Sequence, residues 1–186
     1  LQVHSMLGVN FGLSKGNWLY TDDATGEYRD PEEGADVSYS YALKDLRIGD
    51  QPQTTLLAGL TVTPTEGATI QALLRNYRSH WAQWSPESYE YSAGDTPDRD
   101  TPWQTPDYSR VDLHASYDLP GSFAAGGTEV TIQAFVHVFN ALDEVYIQDA
   151  VDNSKYNAFD KNHGPDDAEV FFGLPRSFNA GIAFKF

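Results

Sequence analysis

Apolar and polar residues alternate along most of this chain with a period of two. From Leu1 to Leu13 the odd positions are Leu1, Val3, Ser5, Leu7, Val9, Phe11 and Leu13, against Gln2, His4, Met6, Gly8, Asn10 and Gly12. Thr54, Leu56, Ala58, Leu60 and Val62 oppose Thr55, Leu57, Gly59 and Thr61. Val111, Leu113, Ala115, Tyr117 and Leu119 oppose Arg110, Asp112, His114, Ser116 and Asp118. Val130, Ile132, Ala134, Val136 and Val138 oppose Thr131, Gln133, Phe135, His137 and Phe139. Phe178, Ala180, Ile182, Phe184 and Phe186 oppose Ser177, Asn179, Gly181, Ala183 and Lys185. Successive side chains of a strand point to opposite faces, so each segment predicts a strand with one apolar face and one polar or small face. Two segments are less regular. Thr69 to Trp84 sets Ile70, Ala72 and Leu74 against Gln71, Leu73, Arg75 and Tyr77, and Asn17 to Tyr28 starts as an aromatic strand and turns polar. Helical periodicity is weak throughout, and the predicted class is all-β.

The connections come in two kinds. Short ones fall at 15–17, 64–67 and 120–128, and long ones at about 22–52, 85–107 and 148–174. Long loops are uncommon in compact soluble domains. Short turns alternating with long loops are the habit of outer-membrane barrels, whose periplasmic turns are short. With every short turn on one side, seven strands alternate in direction: 1–14, 17–28, 53–63, 68–84, 107–119, 129–147 and 175–186. The segment Val37 to Leu43 reads as a hairpin within an outer loop, because an inserted strand there would put the 64–67 turn on the long-loop side. Bacterial single-chain barrels have an even number of strands. Seven therefore predict a piece of a larger transmembrane, antiparallel up-and-down barrel. Leu1 opens directly in patterned sequence, with no basic start or apolar core of a signal peptide, which fits a start in mid-barrel.

Charge sharpens this picture. The 186 residues carry 27 Asp and Glu against 12 Lys and Arg, for a net charge of −15. The three long loops hold 21 of those acids and 6 of those bases, so the strands and short turns are neutral. A lipid-facing strand carries unpaired charge only at high cost, whereas a solvated loop carries it freely. The charge argues against a nucleic-acid partner, which needs a basic surface. It predicts an acidic outer rim, screened by salt or by divalent cations that bridge it to lipopolysaccharide. Aromatic content of 13% argues against disorder. A mean hydropathy of −0.48 does not argue against a barrel, whose alternating strands average out. The chain has no cysteine, which removes disulfides, thiolate metal sites and cysteine nucleophiles.

Three segments carry a resemblance. Val138-Phe139-Asn140-Ala141-Leu142-Asp143-Glu144-Val145-Tyr146 is similar to the N-L-F-D-x-x-Y segment of TonB-dependent receptors. Gly173-Leu174-Pro175-Arg176-Ser177-Phe178 and Gly181-Ile182-Ala183-Phe184-Lys185-Phe186 resemble that family's last strand, and Tyr108 to Tyr117 resembles the strand before this pair. Weaker likenesses lie at Trp18 to Asp22 and Ile48 to Thr54. The resemblance implies the last third of a barrel of about 22 strands, with the plug, the TonB box and the earlier strands lying outside residues 1–186. It implies a receptor in the outer membrane of a Gram-negative bacterium that takes up a scarce small molecule, such as a siderophore-bound iron or an oligosaccharide. Its partners would be outer-membrane lipid, lipopolysaccharide and, through the N-terminal part, the TonB complex.

Candidate site residues follow from these assignments. Phe178, Ile182, Phe184 and Phe186 form an alternating apolar end like the assembly signal of outer-membrane barrels. Arg75, Arg110, His114 and His137 fall on the polar, lumen-facing side. Tyr89, Tyr91 and Trp103 are candidate ligand contacts in the second long loop, while Trp81 and Trp84 suit the aromatic girdle at a membrane interface. The five histidines show neither i, i+4 spacing nor HExxH, so no metal ligand set is assigned. Asp22-Asp23, Glu32-Glu33 and Asp166-Asp167 read as solvated loop charge, and Asp160 to Asp166 is a poor match to a calcium loop. No catalytic constellation, resident cofactor or phosphate loop emerges, so the chain is not expected to be an enzyme. Two other architectures fit the pattern less well: a complete eight-stranded outer-membrane barrel, which needs residues 37–43 to span, and a soluble β-sandwich such as a carbohydrate-binding module.

Overall fold

The structure, a computed structural model, describes residues 2–4, 6–32, 34–125, 127–157, 159 and 161–186. Its strands in chain order are β1 (Gln2–His4), β2 (Leu7–Lys15), β3 (Ala24–Arg29), β4 (Asp36–Tyr41), β5 (Pro52–Val62), β6 (Ala68–His80) and β7 (Glu90–Tyr91). They continue with β8 (Tyr108–Asp118), β9 (Phe123–Ala125), β10 (Thr128–Phe139), β11 (Ile147–Asp152), β12 (Ala168–Phe172) and β13 (Ser177–Lys185). The chain is all-β, and among the described residues its helical turns are three single-turn 3₁₀ segments in the long connections. No helix among the described residues is long and apolar enough to cross a membrane, which says nothing of strands. Leu1, Ser5, Glu33 and Asp160, and the side chain of His4, lie outside the described residues.

The large sheet runs β1-β2-β5-β6-β8-β10-β13, antiparallel at every ladder, with β9 added to β10. Opposed residues share a face, so the register decides what each face displays. Val9, Leu60, Ala72, Leu113, Val138 and Phe178 stand in one row across six strands. Ile70, Ala115, Val136 and Ala180 form the next. This apolar face is open: Phe11, Leu13, Ile70, Val136, Phe178, Ile182 and Phe184 are all exposed. On the opposite face stand Thr61, Gln71, His114, His137 and Asn179, again in one row.

The turn at 64–67 and the link over 120–128 join neighbouring strands as predicted, but the expected turn at 15–17 and two strands differ. The chain reverses between His4 and Leu7, so the single strand read over 1–14 is the hairpin β1–β2. Gln2 pairs with Gly8 and His4 with Leu7, with a register shift between the two pairs. Residues 15–17 are not a short turn, and 17–28 is not a strand of the large sheet. β2 pairs directly with β5, and residues 16–51 form the first long connection. Gln53 explains how the two segments part. Its buried side chain accepts from the Trp18 N–H (3.2 Å) and donates to the Trp18 carbonyl (3.0 Å), standing in for a ladder residue. Trp18 and Tyr20 then pair with Ile48 and Leu46 outside the sheet. The 37–43 segment is an outer hairpin: β4 pairs with β3 and β7 only. β6 and β10 stop at His80 and Phe139, short of the expected 84 and 147, and β11 pairs with β12.

Short links therefore lie at 5–6, 63–67 and 119–127, all at one end. Gly67 shapes the second. Its φ is +78°, and a Cβ there would sit 2.7 Å from the Asp118 carbonyl, whose own amide donates to the Gly67 carbonyl (2.9 Å). The long connections gather at the other end, and the buried core is theirs. Leu43, Leu46 and Tyr89 form its centre, with Ala24, Tyr41 and Trp84 packed against it. Buried Ala42, Ala82 and Ala150 belong to the same connections. A cap with its own interior thus sits on the open end of a sheet whose two faces are largely uncovered.

Candidate functional site

The polar face is organised around one carboxylate. Asp112 on β8 is 2% exposed. It receives Arg75 from β6 in an ion pair, lies 3.5 Å from Arg110 Nε, and accepts from the Asn140 backbone N–H at 2.9 Å. Arg75 and Arg110 are directly opposed across the β6–β8 ladder, an arrangement that repels unless an anion lies between them. Asp112 supplies it.

The same node ties in the residues of the family-like segments. Asn140 adopts a positive φ of 49° just past β10. Its side-chain amide donates to the carbonyls of Glu144 (2.9 Å) and Leu174 (3.2 Å), and its side-chain oxygen accepts from the Glu144 N–H (3.0 Å). Asp143 accepts from the Arg176 N–H (2.9 Å) and faces its guanidinium at 3.6 Å. The start of the third long connection is so clamped to its end. Gly173 is needed at that clamp, because a Cβ would overlap the Tyr146 ring at 1.9 Å.

Between this node and the cap lies a cleft of about 370 Å³. Tyr77, Tyr108 and Tyr146 line one side, with ring centroids 5.0 Å apart for Tyr77–Tyr108 and 4.4 Å for Tyr108–Tyr146. Arg110 donates to the Tyr146 hydroxyl (3.2 Å). His80, Asp50 and Asp149 complete the wall, and the buried Nε2 of His80 has no protein partner. Such a lining of phenols, one guanidinium, one imidazole and two carboxylates suits a ligand rich in hydrogen-bonding groups and low in net charge.

The cap has a second buried charge cluster. His163 is fully buried and stacks on Tyr89, with ring centroids 4.7 Å apart and planes 5° from parallel. Its Nδ1 meets Asp152 at 2.5 Å and the Ser154 hydroxyl at 2.9 Å, and its Nε2 meets Asp98 at 3.1 Å. Two carboxylates on two ring nitrogens call for two N–H donors, the imidazolium form. Burial opposes that charge, but Asp152 and Asp98 outweigh it and raise the pKa above 6.5. Burial likewise opposes ionisation of Asp152, yet hydrogen bonds from His163 and Ser154 hold it below 3.8. Asp23, bound by both Arg99 terminal nitrogens and the Lys44 N–H, is held down to about 2. Glu87 pairs with Lys155 at 2.8 Å. Ion pairs therefore join different connections of the cap, buried at His163 and open to solvent at Asp23–Arg99 and Glu87–Lys155.

Arg75, Arg110, His114 and His137 all lie on the polar face. His114 and His137 are opposed, with Nδ1 atoms 2.8 Å apart. Phe178, Ile182 and Phe184 lie on the apolar face of β13, with Phe186 exposed beyond it. Tyr89 is a correction: it is fully buried as the centre of the cap core and presents nothing to a ligand. Tyr91 pairs with Ser40 and is half-buried, as is Trp103, whose carbonyl accepts from the Ala82 N–H. Trp84 is not free to sit in a girdle, since its ring packs on Tyr89 and Tyr20 and its Nε1 donates to the Arg47 carbonyl (2.8 Å). Trp81 lies under the Arg47 guanidinium. The cleft tyrosines and His163 were not singled out from sequence. Tyr77 and Tyr108 share a face at the outer ends of neighbouring strands, which is a usable signal; the partners of His163 are distant in sequence and give none.

Among the described residues no group of three or more His, Asp or Glu side chains converges as a metal site. No family model matches this chain, and neither a curated protein nor a solved structure does so.

Two outcomes are expected. Asp112→Ala leaves Arg75 and Arg110 opposed without their anion and costs about 3 kcal/mol of stability, read as a lower urea midpoint of the refolded protein. The His163 cluster gives the cap a pH dependence. His163 has a raised pKa in the fold, so its contribution is complete below 6.5 and is lost as pH rises through the raised value. Asp152 has a depressed pKa, so its contribution is present above 3.8 and is lost as pH falls through the lower value. Asp98, Asp152 and Tyr89 are the titratable side chains that contact the ring. Limited proteolysis of the long connections should be slowest between 3.8 and 6.5 and accelerate above it. His163→Gln should flatten that rise.

Proposed function

We propose that this chain is the C-terminal part of the barrel of a TonB-dependent outer-membrane receptor, which takes up a scarce ligand through the outer membrane. The observation that carries the reading is the large sheet. It exposes an apolar face across its strands, keeps its short turns at one end, and gathers its long connections into a packed cap at the other. Lipid is the partner that such a face suits, and strands in lipid must have their backbone groups paired, as the ladders pair them. β1 and β13 are each paired on one side only, and further strands would complete the ring.

The family-like residues support the same reading. Asn140, Asp143, Gly173 and Arg176 clamp the third outer loop to the sheet, a task that a loop exposed to the cell exterior requires. In this reading the polar face lines the lumen, and the cleft under the cap receives the ligand. The alternatives have less support. β4 is not in the large sheet, so an eight-stranded barrel lacks its spanning segment. A sandwich needs a second sheet over the apolar face, and the two small sheets belong to the cap.

The chain has no cysteine, so single cysteines report topology cleanly. With Ser38→Cys and Glu66→Cys in the outer membrane of intact cells, an impermeant thiol reagent should label position 38 and spare position 66 until the membrane is opened. Equal labelling of both, or recovery of the protein in the soluble fraction, would overturn the reading.

A further inference from the structure

The row Gln71, His114, His137, Asn179 crosses four strands of the polar face, with two imidazoles at its centre. We propose that His114 and His137 form a bidentate site for a late first-row divalent metal ion that prefers right-angle coordination, Cu²⁺ above all and Ni²⁺ after it. The two residues are directly opposed in an antiparallel ladder, so the backbone itself sets their spacing. Both use Nδ1, and those atoms are 2.8 Å apart.

That separation selects the metal. At a metal–imidazole distance of about 2.0 Å, nitrogens 2.8 Å apart subtend about 90° at the ion. Right angles between neighbouring ligands belong to square-planar, tetragonal and octahedral geometry, the preference of Cu²⁺ and Ni²⁺. A tetrahedral Zn²⁺ needs roughly 3.3 Å between two such nitrogens. The pair would have to open by about half an ångström to suit zinc, against neighbours that hold it.

Those neighbours are aromatic. Phe139 meets the His114 ring edge-on at 5.7 Å and lies 6.2 Å from His137, and Phe135 lies 5.2 Å from His137 on the other side. His114 and His137 meet each other at 63°. Without a metal, one Nδ1 donates a proton to the other. The ion would take the place of that shared proton, which would pass through solvent to Nε2 of the same ring, so each ring would bind through Nδ1 as the neutral imidazole with no net change in bound protons. Gln71 and Asn179 stand next in the row with amide oxygens of the type that complete a copper or nickel shell, together with water. Asp112, the nearest buried acid along β8, is engaged by Arg75, Arg110 and Asn140 and is not free to join.

The test uses the protein extracted in detergent from the outer membranes of expressing cells and titrated with Cu²⁺ alone, followed by electron paramagnetic resonance and by competition with a chelator of known affinity. One Cu²⁺ should bind with a tetragonal spectrum showing two equivalent nitrogen couplings. His114→Gln and His137→Gln should each weaken binding about tenfold or more and remove one nitrogen coupling. His80→Gln and His163→Gln should leave both readouts unchanged. Zn²⁺ should bind more weakly than Ni²⁺, the reverse of what a tetrahedral site would show. Unchanged spectra in both pair variants, or loss of the signal with His80→Gln or His163→Gln, would overturn the site. Circular dichroism of each variant separates lost binding from lost fold: an unfolded His114→Gln or His137→Gln protein is replaced by the matching Asn variant, to which the same two outcomes apply.

Discussion

A slip of one residue in any ladder of the large sheet would carry that strand's apolar set to the opposite face. On β13 alone it would exchange Phe178, Ile182 and Phe184 for Asn179, Ala183 and Lys185. Each large side chain is worth about 1.5–3 kcal/mol between an apolar setting and water. With the apolar face in lipid, as proposed, a slip costs several kcal/mol per strand, and register is the constraint on which the apolar face, the Asp112 node and the opposed histidines all depend. The chain pins it at both ends of the strands. Gly67 and Asp118 fix the β6–β8 end near the short turns, and Gln53 fixes where β2 and β5 part. At the cap end, Asp112 binds three strands' worth of partners, and Asn140 and Asp143 fasten the return to β13.

The distribution of burial follows from this arrangement. In most folds the sheet supplies the core and the loops lie on it. Here the largest fully buried side chains include Tyr89 and Leu46, both from the long connections, while among the described residues Val130 is the fully buried apolar residue of the large sheet and Phe11, Leu13, Phe178, Ile182 and Phe184 are exposed. The cap is also where unlike charges meet across connections: Asp23 with Arg99, Glu87 with Lys155, His163 with Asp98 and Asp152. Asp98 and Asp152 thus serve as fastening inside the cap, whereas the exposed pairs tie its connections at the surface.

Period two made most of the large sheet legible from sequence. β5, β8 and β10 carry the predicted faces, because alternation survives wherever one face is kept apolar. The misread strands have physical causes. At β1–β2 the chain reverses between His4 and Leu7, where the sequence carries neither Gly nor Pro, and at Trp18 to Tyr20 a glutamine side chain imitates backbone pairing. Tyr89 was taken for a ligand contact because it lies in a polar loop, and loop burial has no period to announce it. The lumen-side assignment of Arg75, Arg110, His114 and His137 came from alternation alone. That His114 and His137 would meet at 2.8 Å needed the register, which two strands read separately do not supply.

The central claim is that one face of this sheet meets lipid and the other meets water. The most direct measurement places single cysteines at each position from 131 to 138 of β10, labels them with an environment-sensitive fluorophore in the outer membrane, and compares a lipid-borne with an aqueous quencher. The account predicts strict alternation, with labels at Ile132, Ala134, Val136 and Val138 quenched from lipid and those at Thr131, Gln133, Phe135 and His137 quenched from water. Uniform aqueous quenching at all eight positions would contradict it.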